Sequence, residues 1–205
     1  MVKVPPKPFK PAIGTLPSEH RLYRVFTNTR APTVFNPGPG KPTRFGFFGD
    51  PVVPILYAAD TEEAAVAESL LHDIPLDGGL LPYDQYSGKA LAVLKVTRNL
   101  RLAILHGIDL RRVKAEPADV TSSPASTYTT TVQWAEAAHG IGVDGMVWMS
   151  RLCNTAKAYV FFVDRCDDAF AQDPSHARIF ASPADQIWLI DFCAPLHIDV
   201  LLQPS

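Results

Sequence analysis

Apolar and polar positions alternate along Arg21–Phe26 (RLYRVF), the period of a half-buried strand. Short strands are also predicted at Thr43–Phe48 and Ile55–Ala59, separated by a Gly-Asp-Pro turn. A helix is expected from Thr61 to about His72, with Asp60 as its N-cap and Glu63 completing a capping box. Residues 75–88 read as a loop. Residues 89–96 (KALAVLKV) read as a buried strand, with Leu102–Leu105 continuing the sheet. A second helix is marked by Ser123 as cap, Pro124 at its first position and Gly140 at its end. Val143–Met149 and Lys157–Val163 read as strands, the second (KAYVFFV) central. Residues 165–184 are polar and irregular, Gln186–Ile190 reads as a short strand, and the tail to Leu202 is apolar enough to dock. Residues 28–42 are loop-like, and residues 1–19, rich in Pro and Lys, form an extended arm. The sum is an α+β fold: one domain over residues 20–205, with mixed short-stranded sheets and a few helices.

Composition supports a single core. The chain has 205 residues, 47% hydrophobic and 20% charged, which excludes wholesale disorder. A formal net charge of −2 argues against a strongly basic nucleic-acid binder, so no direct nucleic-acid binding is expected. No apolar run is long enough for a membrane span, and MVKVPPKPFKPAIG lacks the apolar stretch of a secretion signal. Cys153, Cys166 and Cys193 fit neither a C-x-x-C motif nor a disulfide framework, and read as small thiols in a reducing cytoplasm. No G-x-G-x-x-G follows a strand, GPGKPT near residue 40 is not a phosphate loop, and no G-x-S-x-G elbow is present. The six histidines lack metal-ligand spacing, so no metal is expected.

Several short stretches remain: Leu22-Tyr23-Arg24-Val25, Thr43-Arg44-Phe45, Leu56-Tyr57-Ala58 followed by Ala67-Glu68, and Asp144–Ser150 (DGMVWMS). Before that serine stand Tyr128, Thr131, Trp134 and Ala135 at helical spacing. In this order the chain resembles the RES-domain family, named for an arginine, a glutamate and a serine, over about Arg21–Val163. It departs from the family in the lead Gly38-Pro39-Gly40-Lys41-Pro42-Thr43 and in residues 47–54. The resemblance implies an ADP-ribosyltransferase-like fold that takes NAD+ as substrate. It also implies the toxin of a bacterial toxin–antitoxin pair, held by a cognate antitoxin, and makes a homodimer an expectation. Two activities are open: loss of NAD+ by hydrolysis or phosphorolysis, and transfer of ADP-ribose to a protein. A non-catalytic NAD-binding module is the remaining alternative.

The residue types suit that chemistry. Cleaving the nicotinamide–ribose bond builds positive charge on the ribose while the leaving group departs neutral, so one carboxylate can be the main electrostatic group. Glu68 is the candidate, flanked in helical projection by Ala64 and Ala65; its ordinary alternative is a solvated helical glutamate. Arg24 and Arg44 present planar donor forks suited to a pyrophosphate, or else are surface or ion-paired arginines. Tyr57 could stack on nicotinamide or bond a ribose, or simply pack in the core. Ser150 could orient the ribose or the attacking water or phosphate, or be a turn serine; no adjacent histidine makes it a nucleophile. Tyr128 and Trp134 are expected to pack their helix on the sheet. The basic cluster at 98, 101, 111, 112 and 114 faces solvent or an acidic partner.

Overall fold

The structure, a computed structural model, describes residues 2–38, 43–121 and 125–203. Ten strands form: β1 Ala12–Leu16, β2 Arg21–Thr27, β3 Ile55–Ala59, β4 Gly79–Leu81, β5 Lys89–Val96, β6 Leu100–Ile104, β7 Gly145–Met149, β8 Lys157–Phe162, β9 Phe170–Ile179 and β10 Ile198–Val200. Six α-helices accompany them: α1 Glu62–Leu70, α2 Tyr83–Tyr86, α3 Pro117–Val120, α4 Tyr128–Gly140, α5 Val163–Cys166 and α6 Pro183–Cys193. Eight strands make one mixed sheet in the order β1-β6-β7-β8-β3-β2-β5-β9, and β10 pairs β4 in a small parallel sheet. Within the large sheet only β6 and β7 run parallel. The α+β expectation therefore holds, and β8 lies inside the sheet as its unbroken apolar run requires.

Strand alternation sorts the core onto two faces. Leu56, Tyr159 and Phe161 pack with Leu22, Leu94 and Leu102 on one side. Ile55, Val160 and Phe162 pack with Trp134, Trp148 and Phe45 on the other, beside the group that includes the small residues of α1.

One irregularity creates the site. β2 and β3 are neighbours, yet their ladder consists of the single pair Tyr23↔Ala59. Beyond it the strands part, and Ile55 bridges instead to Asn36 in the loop after β2. β2 keeps its full ladder with β5, from Arg21↔Lys95 to Thr27↔Lys89. A seam thus opens between β2 and β3, where neither strand uses the other's backbone.

Several local expectations change in three dimensions. Thr43–Phe48 is not a strand: Thr43 and Gly46 bond each other across a tight turn that turns Phe45 fully into the core. Thr61, not Asp60, caps α1, its Oγ1 accepting from Ala64 N at 3.2 Å. Asp60 accepts instead from Tyr159 Oη at 2.6 Å and lies 3.0 Å from His20 Nε2. The stretch 75–88 contains β4 and α2. The polar stretch within 165–184 contains edge strand β9, which backbone pairing to β5 holds although most of its side chains are exposed or half-buried. Gln186–Ile190 lies inside α6, where Ser182 caps and Pro183 sits in the first turn. Gly140 does end α4, while the expected Ser123 cap and Pro124 lie outside the described residues. The described part of the expected arm, residues 2–19, lies along the domain. It supplies edge strand β1, Lys3 O accepts from Trp134 Nε1 at 3.0 Å, and Phe9 meets the Trp134 ring edge-on.

Candidate active site

The seam holds a cavity of about 340 Å³. Its floor is Tyr57 of β3, Ala158 of β8 and Trp148 of β7. One wall is β2 from Tyr23 to Thr27 with the loop through Arg30, Val34 and Asn36; another is Ala65, Glu68, Ser69 and His72 on α1 and just after it. Arg44, Lys89 and Tyr128 also line it. A recess of about 30 Å³ shares Arg44, Glu68, His72 and Tyr128 and adds Asp73, Arg151 and Leu152.

Glu68 reaches this cavity because its helix neighbours are small. Ala64 and Ala65 are buried, so α1 sits close on the sheet. Its carboxylate is held in place: Oε1 accepts from Ser150 Oγ at 2.6 Å and from the Arg151 backbone N–H at 2.9 Å. Ser150 is buried at the end of β7 and is not a lining residue of the cavity. It also accepts from Cys153 N at 3.1 Å, which fixes its hydroxyl to donate toward Glu68. Glu68 and Ser150, both marked by sequence motifs, therefore meet as acceptor and donor, with Ser150 behind the carboxylate.

Arg44 lines both cavity and recess, its guanidinium 5.5 Å from the centre of the Tyr128 ring. Its carbonyl accepts from Thr131 Oγ1 at 2.5 Å, which ties the turn carrying it to α4. Tyr128, expected to pack only, is a cavity residue, whereas Trp134 is fully buried as expected.

The Tyr57 hydroxyl accepts from Phe45 N at 2.9 Å and lies 3.1 Å from Thr43 Oγ1. Burial pushes its pKa up to about 12, so it stays a neutral phenol at physiological pH. The ring stands edge-on to Trp148, with centroids 6.2 Å apart. Tyr57→Phe would free Phe45 N and Thr43, loosening the turn that carries Arg44. The expected result is a loss of about 1 kcal/mol in unfolding free energy, read by denaturant titration.

Arg24 lines the cavity but spends donors on its wall, giving hydrogen bonds to Pro32 O at 2.5 Å and Val34 O at 2.8 Å. Burial and the neighbouring Arg30 push its pKa down to about 10, so it remains a cation. Arg30, Lys89 and His72 carry no motif that would mark them in the sequence. Lys89 stands opposite Thr27 at the end of the β2–β5 ladder, a register that only the fold reveals. Among the described residues, four permanent cations, Arg24, Arg30, Arg44 and Lys89, line the cavity against one carboxylate, Glu68. In the basic cluster, Arg98 reaches the Arg165 carbonyl and lies near Asp144, and Arg112 pairs Asp109.

Among the described residues no group of three or more His, Cys, Asp or Glu side chains is placed to hold a metal ion, and no helix is long and apolar enough to cross a membrane.

Comparison with known proteins gives two findings. A family model described as the RES domain matches residues 21–185. A chain in the crystal structure of the M. tuberculosis MbcT–MbcA toxin–antitoxin complex has a similar fold, with a TM-score of 0.55 at 16% identity, covering 80% of this chain and 85% of that one. No curated protein matches the sequence.

Proposed function

The chain belongs to the RES-domain family, and on that premise we propose that it is an NAD+-consuming enzyme that cleaves the nicotinamide–ribose bond. One observation carries this reading: the Glu68 carboxylate is clamped by Ser150 Oγ and the Arg151 N–H in a cavity whose other permanently charged lining residues, among those described, are the cations Arg24, Arg30, Arg44 and Lys89. The cations suit the substrate's diphosphate, and the single carboxylate suits the one centre that becomes positive during cleavage.

In this mechanism the C1′–N bond breaks with its electron pair leaving on nicotinamide, whose ring nitrogen becomes neutral. The ribose becomes oxocarbenium-like, and Glu68 stabilises it through space. An oxygen of water or inorganic phosphate then bonds C1′, yielding ADP-ribose or its 1-phosphate, and the acceptor's proton leaves to solvent. Ser150 acts through Glu68 by fixing the carboxylate. Arg44 holds phosphate oxygens near that end, Arg24 shapes the wall and faces the phosphates with its remaining N–H groups, and Tyr57 supports the ring end of the substrate.

The likeness to a chain from a toxin–antitoxin complex supports a second element of the proposal: the protein is a toxin that depletes NAD+ in the cytoplasm and is neutralised by a cognate antitoxin protein. The test is nicotinamide release from NAD+ by the purified protein, with and without phosphate and cell extract. Release with a stoichiometric ADP-ribose or ADP-ribose 1-phosphate product is expected. Label from NAD+ accumulating on protein would replace cleavage with transfer. Absence of release under every condition, from folded protein that binds NAD+, would overturn the enzymatic reading.

A further inference from the structure

The cations of the cavity are not spread evenly. The cavity crosses neighbouring strands from Trp148 on β7, through Ala158 on β8, Tyr57 on β3 and Arg24 on β2, to Lys89 on β5. Four paired strand spacings of about 4.8 Å would put its two flanks about 19 Å apart, and the parting of β2 from β3 at the seam widens this. Glu68 belongs to the β7 flank, because both its partners, Ser150 and Arg151, directly follow that strand. Arg30 and Lys89 belong to the opposite flank. Lys89 starts β5 opposite Thr27, and Arg30 follows in the turn, its amide bonding Thr27 O.

That far corner gathers positive charge. Among the described residues no carboxylate lies within ion-pair distance of Arg24, Arg30 or Lys89. Lys89 Nζ donates to Thr27 Oγ1, at 3.1 Å. Arg24 and Arg30 are close enough that their repulsion helps lower the Arg24 pKa. Arg30 is exposed and Lys89 half-buried, so this corner is open to solvent, and an anion entering it would receive charge-assisted hydrogen bonds from both side chains.

We propose that the Arg30–Lys89 corner is an anion subsite for the 2′-phosphate on the adenosine ribose of NADP+, so that this protein prefers the 2′-phosphorylated dinucleotide to NAD+. The inference rests on the cleavage reading for its orientation: with the nicotinamide ribose at Glu68, the diphosphate crosses β3 and β2 and the adenosine ribose reaches β5. Charge balance points the same way. Arg30 and Lys89 bring two positive charges to the far corner, while the diphosphate of NAD+ falls short of it at β3 and β2, so the corner lacks two negative charges. A phosphate monoester adds about 1.5 to 2 negative charges and closes that gap. Arginine and lysine are the side chains suited to it, one as a donor fork and one as a point charge.

The experiment compares kcat/KM for NADP+ and NAD+ in the native protein and in Arg30→Ala/Lys89→Ala. It also compares binding of both dinucleotides to Glu68→Gln by calorimetry at low and physiological salt. Expected are a higher kcat/KM for NADP+ in the native protein and a loss in the double variant that is about tenfold or more larger for NADP+ than for NAD+. NAD+ cleavage without NADP+ preference, or equal losses for both, overturns the subsite and leaves the cleavage reading standing. Tighter salt-sensitive binding of NADP+ by Glu68→Gln, with neither dinucleotide cleaved by the native protein, upholds the subsite and removes the cleavage reading.

Discussion

Glu68→Gln is expected to lower nicotinamide release by about 10²- to 10³-fold, the usual cost of removing one charge-stabilising group from a preorganised site. Glutamine keeps the size and one carbonyl oxygen, so the contacts to Ser150 Oγ and Arg151 N can persist while the negative charge is lost. The helix should tolerate the change, since α1 is anchored by its buried residues Ala64, Ala65, Val66, Ala67 and Leu70. The melting temperature should therefore move little while kcat collapses. Turnover near the native rate in a folded Glu68→Gln protein would remove the carboxylate from the mechanism, and with it the observation that carries the proposed function.

Ser150→Ala is the second large effect, about 10- to 100-fold in kcat, with KM for the dinucleotide changed only a few-fold. The split follows from its position: Ser150 is buried behind Glu68 and outside the cavity lining, so it governs how the carboxylate is aimed and not how substrate is held. Alanine removes a 2.6 Å donor from Oε1 and the acceptor of Cys153 N, leaving Arg151 N as the remaining partner of that oxygen. Ser150→Thr retains the hydroxyl and should recover a large part of the lost kcat. An unchanged kcat in Ser150→Ala, or a loss confined to KM, would put Ser150 at the substrate or nowhere in the chemistry.

Much of this site is legible in the amino-acid sequence. The ordered motifs around Glu68 and Ser150 mark both residues, and the fold brings side chains 82 positions apart to within hydrogen-bond distance. The strands at Arg21, Ile55, Lys89 and Lys157 follow from runs of apolar and β-branched residues. Departures cluster where local signals compete with distant contacts. Asp60 and Thr61 are both good caps, and Asp60 is claimed by Tyr159 and His20 from elsewhere in the fold. β9 looks irregular because an edge strand is held by backbone pairing, which leaves no apolar alternation to read. Arg24 looks like a phosphate fork but also ties down the loop beside it, a use that depends on where the Pro32 and Val34 carbonyls lie.

By itself the sequence determined the fold class, the central strand and the helix that carries Glu68. These follow from side-chain periodicity, a property of the chain alone, whereas Glu68 and Ser150 stand out through the resemblance of the ordered motifs to the RES-domain family. The tertiary structure decided the rest: that β2 leaves β3 after one pair, that the seam becomes a cavity, and that Arg30, Lys89 and Tyr128 join it. The reason is physical. A cavity is made where pairing stops, and the charge balance inside it depends on which cations the sheet register sets side by side. Neither quantity is carried by any local stretch of sequence.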